Sequence, residues 1–234
     1  QTPALEFVKK KKIQRLTKRF LAAPLWMCTF SKLEDLNAFD FLHIAMYLGV
    51  PVFKFKNRIP EVCAPLSDHI LTDELKSITE NNGVQVNLES GKTLKCQNLV
   101  LATPYDVTKQ HVNIVHDRIP CPAFLFHVKG KLKPEYADGD LELFSEKNST
   151  IFLSQEHDGS SIFYSTVQNP NFKKYFLTHE VIETRHWDPA FYLGGHELID
   201  PEYSEHITLA GDLNIVGLED AYRSGIFAAR RILA

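Results

Sequence analysis

HITLAGDLNIVGLEDAYRSGIFAARRILA, residues 206–234, is the stretch on which the reading of this chain turns. Residues 206–210 form an apolar strand that runs straight into Gly211-Asp212. A link of Leu213, Asn214, Ile215 and Val216 leads to Gly217, after which a helix is expected from Leu218 to about Leu233. Its small, apolar face is Leu218, Ala221, Gly225, Ala228, Ala229 and Ile232, recurring at helical spacing. A strand that ends in Gly-Asp, followed by a loop, a Gly and a helix, turns backbone N–H groups and the positive helix end toward a ligand. Glycine at both breaks lets the backbone come close to it. Read by itself, Asp212 is a helix-entry turn residue.

Upstream, the hydrophobic period is two. From Glu74 onward Leu75, Ile78, Val84, Val86, Leu88, Leu94, Leu99 and Leu101 mark short strands. Asn82-Gly83 predicts a two-residue type I′ hairpin turn, because both positions need positive φ, and Ser90-Gly91 marks a second turn. The result is a three-stranded antiparallel meander. Residues 98–102 are almost uniformly apolar and stop at Thr103-Pro104, as expected of a strand covered on both faces. Further strands are expected at 123–128, 141–144, 150–153 and 161–167, separated by turns such as Asp138-Gly139 and Asp158-Gly159, with a short helix from about Asn171 to Tyr175.

Two amphipathic helices come first: residues 5–22, ending near Ala23-Pro24, and residues 33–48, with Ser31 as N-cap and Gly49-Val50-Pro51 as the stop. Trp26, Phe30, Phe39, Phe41 and Tyr47 make this part rich in aromatic residues, suited to core packing or to an apolar cavity wall. The fold class is α+β, carrying the remnant of an α/β unit. Its expected parts are a helical segment (1–74), a meander and return strand (75–119), an antiparallel-sheet lobe (120–200) and the closing strand and helix (201–234).

Three segments resemble, in chain order, the FAD-dependent amine oxidases and carotenoid or squalene desaturases. GVQVNLESGKTLKCQNLVLATP (83–104) is similar to their meander and return strand, RHWDPAFYLGG (185–195) to their Trp-containing segment, and residues 206–234 to their C-terminal flavin motif. The resemblance implies FAD as cofactor and a hydride-transferring oxidoreductase. Asp212 would accept hydrogen bonds from the ribityl hydroxyls or the adjoining pyrophosphate, and Gly211 would permit that approach. Gly217, Leu218 and Glu219 would lie by the isoalloxazine ring, while Ala221, Ser224 and Gly225 hold the helix close to the sheet. No catalytic base is assigned.

Departures from the family pattern carry their own implications. Asp220 replaces a second glycine, placing a carboxylate where it would repel phosphate unless it faces solvent or caps the helix. The link of Leu213, Asn214, Ile215 and Val216 has no aromatic residue for an amine cage, which favours the desaturase-like branch and a lipophilic substrate held by the aromatic-rich segments 20–55 and 120–195. No G-x-G-x-x-G occurs in these 234 residues, so the FAD site is incomplete within them. The chain opens on Gln1-Thr2-Pro3 and reads as a C-terminal fragment or a shortened homologue. Its expected partner is the N-terminal dinucleotide-binding half, from the same or another polypeptide. The competing reading is a non-catalytic module that kept the fold, lost FAD and serves protein or membrane-surface interaction.

Composition narrows the remaining classes. With 44% hydrophobic residues and 16 Phe, 8 Tyr and 2 Trp, the chain has enough apolar surface to fold. No apolar run is long enough to span a membrane. Cys28, Cys63, Cys96 and Cys121 show no C-x-x-C spacing, which fits a reducing, cytoplasmic setting. His111 and His116 are wrongly spaced for a metal pair, Gly159-Ser160-Ser161 is a turn and not a nucleophile elbow, and the sequon Asn148-Ser149-Thr150 reads as an exposed loop. Seven cations crowd residues 9–19 (Lys9, Lys10, Lys11, Lys12, Arg15, Lys18 and Arg19), leaving 19 Lys and Arg elsewhere against 29 Asp and Glu. This basic amphipathic stretch is either an ordinary surface helix or a peripheral contact with an anionic membrane. Nucleic-acid binding is not expected, because no reader motif is present and the rest of the chain is acidic.

Overall fold

A computed structural model describes residues 2–47, 61, 63–139, 141–144, 149–193, 197–214 and 217–233. The expected stop at Gly49-Val50-Pro51, the glycines at 194 and 195, Asn148 of the sequon, and Ile215 and Val216 lie outside them. The chain forms an α+β fold of two compact units. One comprises residues 1–48, 115–199 and 212–220, the other residues 49–114, 200–211 and 221–234.

In the second unit, β1 (Leu75–Glu80), β2 (Val84–Leu88) and β3 (Thr93–Cys96) build the antiparallel meander. Val84, Val86 and Leu88 point inward, as the period-two pattern requires. The first turn differs in length from the expectation. Glu80 pairs with Val84, so three residues, 81–83, close it, with positive φ at Asn82 (44°) and Gly83 (125°). β4 (Leu99–Leu101) pairs in parallel with β10 (Ile207–Leu209), Leu99 opposite Ile207 and Leu101 opposite Leu209. Burial on both faces holds for all of β10 but only for Leu101 of β4. After Thr103-Pro104 comes a helix absent from the sequence reading, Tyr105–His111; the Thr108 hydroxyl, itself buried, bonds back within its first turn to the Pro104 carbonyl at 3.0 Å.

Polar ties draw the C-terminal helix, Leu218–Leu233, onto this unit. Arg231 donates to the carbonyls of Ser204 (2.6 Å) and Ile207 (3.3 Å) and to Thr208 Oγ1 (2.6 Å). Glu80 accepts from Ser204 Oγ (2.7 Å) and from the His206 N–H (3.1 Å). Within the helix Ala228 is buried, whereas Ala229 and Ile232, expected on the inner face, are exposed, and Arg231 takes the inner position. The ladder of β10 ends in carbonyls that a guanidinium satisfies better than a methyl group can.

The first unit is built on a five-stranded antiparallel sheet in the order β6-β7-β8-β5-β9. Its strands are β5 (Ile119–Leu132), β6 (Leu141–Leu143), β7 (Thr150–Gln155), β8 (Ser160–Ser165) and β9 (Phe176–Leu193). β5 runs longer than the expected 123–128, and β9 lies where no strand was expected; the two pair with each other along almost their whole length. Gly130 permits this: a Cβ there would run into the Thr178 carbonyl of the facing strand. Only a 3₁₀ turn, Phe172–Lys174, forms where a helix was expected at 171–175. One face of the sheet packs Phe126, Val128, Leu132, Phe144, Leu153, Phe163, Tyr175 and Phe176 into an aromatic-rich core, with the Tyr175 hydroxyl satisfied by Thr150 Oγ1 at 2.8 Å.

Residues 5–22 do not form one helix. The helix Ala4–Lys10 stops at Lys11, Lys12 takes the left-handed conformation (φ 56°), and the chain resumes as Gln14–Leu16, a π-helical turn Thr17–Leu21 and a helix Ala22–Thr29. Pro24 lies inside that last helix rather than ending it. The wide π turn before it relieves the ring clash and the missing N–H that would otherwise stop a helix there. The break re-aims the chain so that Val8, Leu21 and Leu25 reach one core with Leu36, Phe41, Ile44, Cys121 and Leu193. The next helix begins at Ala38 and runs to Tyr47. Its cap is Asn37, not Ser31: Asn37 Oδ1 accepts from the Asp40 N–H and Asn37 Nδ2 donates to Asp40 Oδ2, both at 2.8 Å. This reciprocal pair outcompetes Ser31, whose hydroxyl faces Cys121 Sγ instead (3.7 Å).

Candidate functional site

Ser224, in the second turn of the C-terminal helix, joins Gly211 to that helix. The Gly211 N–H donates to Ser224 Oγ (2.9 Å), and the Ser224 hydroxyl reaches the carbonyls of Gly211 and Ala221, both at 3.0 Å. Gly211 takes φ +115° and Gly217 φ +147°, values that favour glycine, and a Cβ at either would have no heavy atom within 4 Å. Open space thus faces the backbone at both breaks. The Asp212 side chain is exposed, as is Gly217, while Leu218 opens the helix. Glu219 and Asp220 occupy the first turn, where the helix dipole favours negative charge, and neither residue is without a partner. Asp220 is therefore a helix-terminal acid with partners, not a loose charge.

Gly211 and Ser224 belong to the second unit, and Asp212, Gly217, Leu218 and Glu219 to the first. In the first unit the link after Asp212 is held by a residue with no sequence signal. Arg118, buried at 6% exposure, donates from Nε to the Leu213 carbonyl (2.8 Å) and from Nη2 to Asn214 Oδ1 (3.2 Å). Asn214 in turn pairs with Ile199, accepting from its N–H at 2.7 Å and donating to its carbonyl at 2.8 Å. The charge of Arg118 also acts on the buried Asp40. Burial raises the Asp40 carboxyl to about 6 from the ordinary 3.8, while the Asn37 hydrogen bond and Arg118 pull it back. Asp40 is thus a carboxyl poised near physiological pH and fixed by a helix cap, a combination that helical spacing did not reveal.

Two other polar groupings are structural. His127 Nε2 meets Ser160 Oγ at 2.8 Å, beside an open depression of about 410 Å³ also lined by Glu156, His157, Asp158 and Ile162. Ser160 donates its proton to Asp158 Oδ1 (2.6 Å), so the hydroxyl is tied into the 158–160 turn and is not primed by the histidine. The bonds from Ser160 hold the Asp158 carboxyl below its usual range. His116 Nδ1 pairs with Glu197 at 2.7 Å. Among the described residues no group of His, Cys, Asp and Glu could hold a metal ion, and no helix is long and apolar enough to cross a membrane.

On the open face of the five-stranded sheet lies an aromatic row. Phe152 stacks on Tyr164 (4.4 Å between ring centroids), and Tyr164 stacks toward Trp187 (6.3 Å). On the other face Phe124, which packs against the aromatic core, stacks nearly parallel with His186 at 4.2 Å. Burial pushes the Tyr164 hydroxyl up from its ordinary value, keeping it neutral. Such a surface can hold a flat or apolar molecule by area and dispersion.

No protein-family model matches the sequence, and no curated protein matches it. Solved structures do. The PF1083 protein from Pyrococcus furiosus superposes with a TM-score of 0.67 at 14% identity, over 100% of this chain and 68% of that one. Putrescine oxidase bound to putrescine gives a TM-score of 0.66 at 10% identity, over 100% of this chain and 68% of that one. A double mutant of putrescine oxidase from a redesign of cofactor binding gives 0.50 at 12% identity, over 83% and 52%. The chain spans about half to two thirds of the length of these proteins. It therefore has the fold of part of putrescine oxidase.

Proposed function

We propose that the chain is the flavin-contacting and substrate-holding part of an FAD-dependent oxidoreductase of the desaturase/amine-oxidase type, taking hydride from an apolar small molecule. The observation that carries this reading is the glycine pair at the two breaks. Gly211 and Gly217 are each held at positive φ with open space where a side chain would stand, and the residue that follows Gly211 in the chain is the exposed Asp212. These residues fit the ribityl and ring end of FAD, and a G-x-G-x-x-G half from the same or another polypeptide would hold the remainder. When bound, FAD supplies the hydride-accepting ring.

In that setting Asp212 accepts hydrogen bonds from sugar hydroxyls, which need partners once removed from water. Gly217, Leu218 and Glu219 form the entry of a helix whose positive end favours negative charge on the ring. The Phe152, Tyr164 and Trp187 row excludes water and orients an apolar substrate. The aromatic-poor link after Asp212 favours the desaturase-like branch.

A second reading, a non-catalytic module that has lost FAD, is favoured by two observations. Ser224 already occupies both main-chain groups of Gly211, and Glu219 and Asp220 already place negative charge at the helix entry. Gel filtration after incubation with FAD separates the readings, using the chain alone and the chain joined to a G-x-G-x-x-G half. Flavin absorption that co-elutes, and is lost on Asp212→Ala without a change in the thermal midpoint of the flavin-free protein, supports the oxidoreductase. Colourless protein in both forms supports the module.

A further inference from the structure

The apolar residues of the basic stretch divide between two sides. Val8 and Leu21 are buried in the helical core, whereas Leu16 and Phe20 stand 51% and 57% exposed. The left-handed Lys12 and the π turn Thr17–Leu21 produce this division, because each shifts the helical phase between the inward-facing residues. Lys9, Lys10, Lys11, Lys12, Arg15, Lys18 and Arg19 lie close to the exposed pair in sequence, and all seven are exposed. Residues 9–19 contain no acid, and among the described residues none of the seven cations pairs with a carboxylate. Two of them lie over aromatic rings instead: Arg19 is 5.2 Å from the centroid of Phe20 and Lys11 is 5.9 Å from that of Phe7.

We infer that residues 9–20 are a docking surface for an anionic lipid bilayer. The cations engage the headgroups, and Leu16 and Phe20 enter the acyl boundary. Charge complementarity selects this occupant. Seven cations that pair with no carboxylate among the described residues attract an anionic surface, while two large exposed side chains interspersed with them gain only where that surface has an apolar layer beneath. A nucleic-acid backbone offers the charge but no such layer. With two inserted side chains the contact is reversible and weakens with salt, because most of the attraction is screened within a Debye length.

Vesicle sedimentation of the full chain tests this, with phosphatidylcholine vesicles compared with phosphatidylcholine containing phosphatidylserine. The chain is expected to sediment with the anionic vesicles at low salt, to stay in solution with the neutral ones, and to be released at high salt. Each Lys→Gln change among Lys9, Lys10, Lys11 and Lys12 lowers the affinity about fivefold. The double variant Leu16→Ser/Phe20→Ser lowers it about tenfold or more with every cation intact. As a second measure, Phe20→Trp shifts its emission to the blue on anionic vesicles. The inference is overturned by failure to bind anionic vesicles at low salt, by unchanged binding of the double-serine variant, by an unshifted Phe20→Trp emission, or by tighter binding to a duplex oligonucleotide than to the vesicles.

Discussion

The two units hold themselves together by different means. The unit built on the five-stranded sheet is cemented by apolar surface: a helical core around Val8, Leu25 and Phe41, and an aromatic core around Phe126, Phe163 and Tyr175. In the other unit, short buried runs such as β10 and Ala228 are tied by charged and hydroxyl groups, with Arg231, Glu80 and Ser224 satisfying the main chain at strand ends. The contrast follows from strand length. β5 and β9 satisfy their backbone along a long ladder, while β4 and β10 pair over three residues each and need side chains to finish the work.

If that contrast is right, space is the sensitive quantity in one unit and hydrogen bonding in the other. The largest effect is expected at Gly130→Val, where a side chain has to displace the Thr178 carbonyl. A loss of about 4 kcal/mol in urea unfolding is expected, and a loss near zero would show that β5 and β9 are not closely apposed there. Next comes the buried Asp40. Its folded pKa, about 6, lies above the ordinary 3.8, so its neutral form is the stabilising one. That contribution is complete below the lower value and is lost as pH rises through the upper one. Asp40→Asn is therefore expected to stabilise the protein by about 3 kcal/mol near neutral pH and to leave it unchanged in acid. Thermal midpoints across that range provide the check, and equal effects at both ends would break the assignment.

Smaller changes belong to the polar unit. Arg231→Met keeps the stem but removes the donors to Ser204, Ile207 and Thr208, and a loss of about 2 kcal/mol is expected in urea. Ser224→Ala costs about 1 kcal/mol and frees the Gly211 N–H, read by faster amide exchange at that position. If Arg231→Met cost less than Ser224→Ala, the ties would be ranked wrongly.

Legibility in the sequence followed the range of the signal. The meander, β10 and the C-terminal helix were readable because Asn82-Gly83, Ser90-Gly91, Gly211 and Gly217 impose backbone states locally. The helical segment was not, because a periodic stripe through residues 5–22 does not reveal that Lys12 turns left-handed or that Thr17–Leu21 widens. Those departures arise from what the stripe must reach, namely Leu36, Phe41 and Leu193. The flanks of β5 and the whole of β9 were missed for a related reason. Residues 177–188 of β9 are exposed and mix charged with apolar side chains, and only pairing with β5 makes them a strand. At the candidate site Gly211, Asp212 and Gly217 announced themselves, whereas Arg118 and the Asn37–Asp40 pair act through partners distant in sequence.

β9 has one end in each core of its unit: Phe176 belongs to the aromatic core and Leu193 to the helical one. β5, its neighbour in the ladder, does the same through Phe126 and Cys121. Opening either core strips support from a ribbon that the other core also needs. The two should therefore melt as one cooperative block, with slow amides in the helices 22–29 and 38–47 exchanging at the same free energy as those of β5. A ligand gripped at one end of the ribbon would then be sensed as protection at the other.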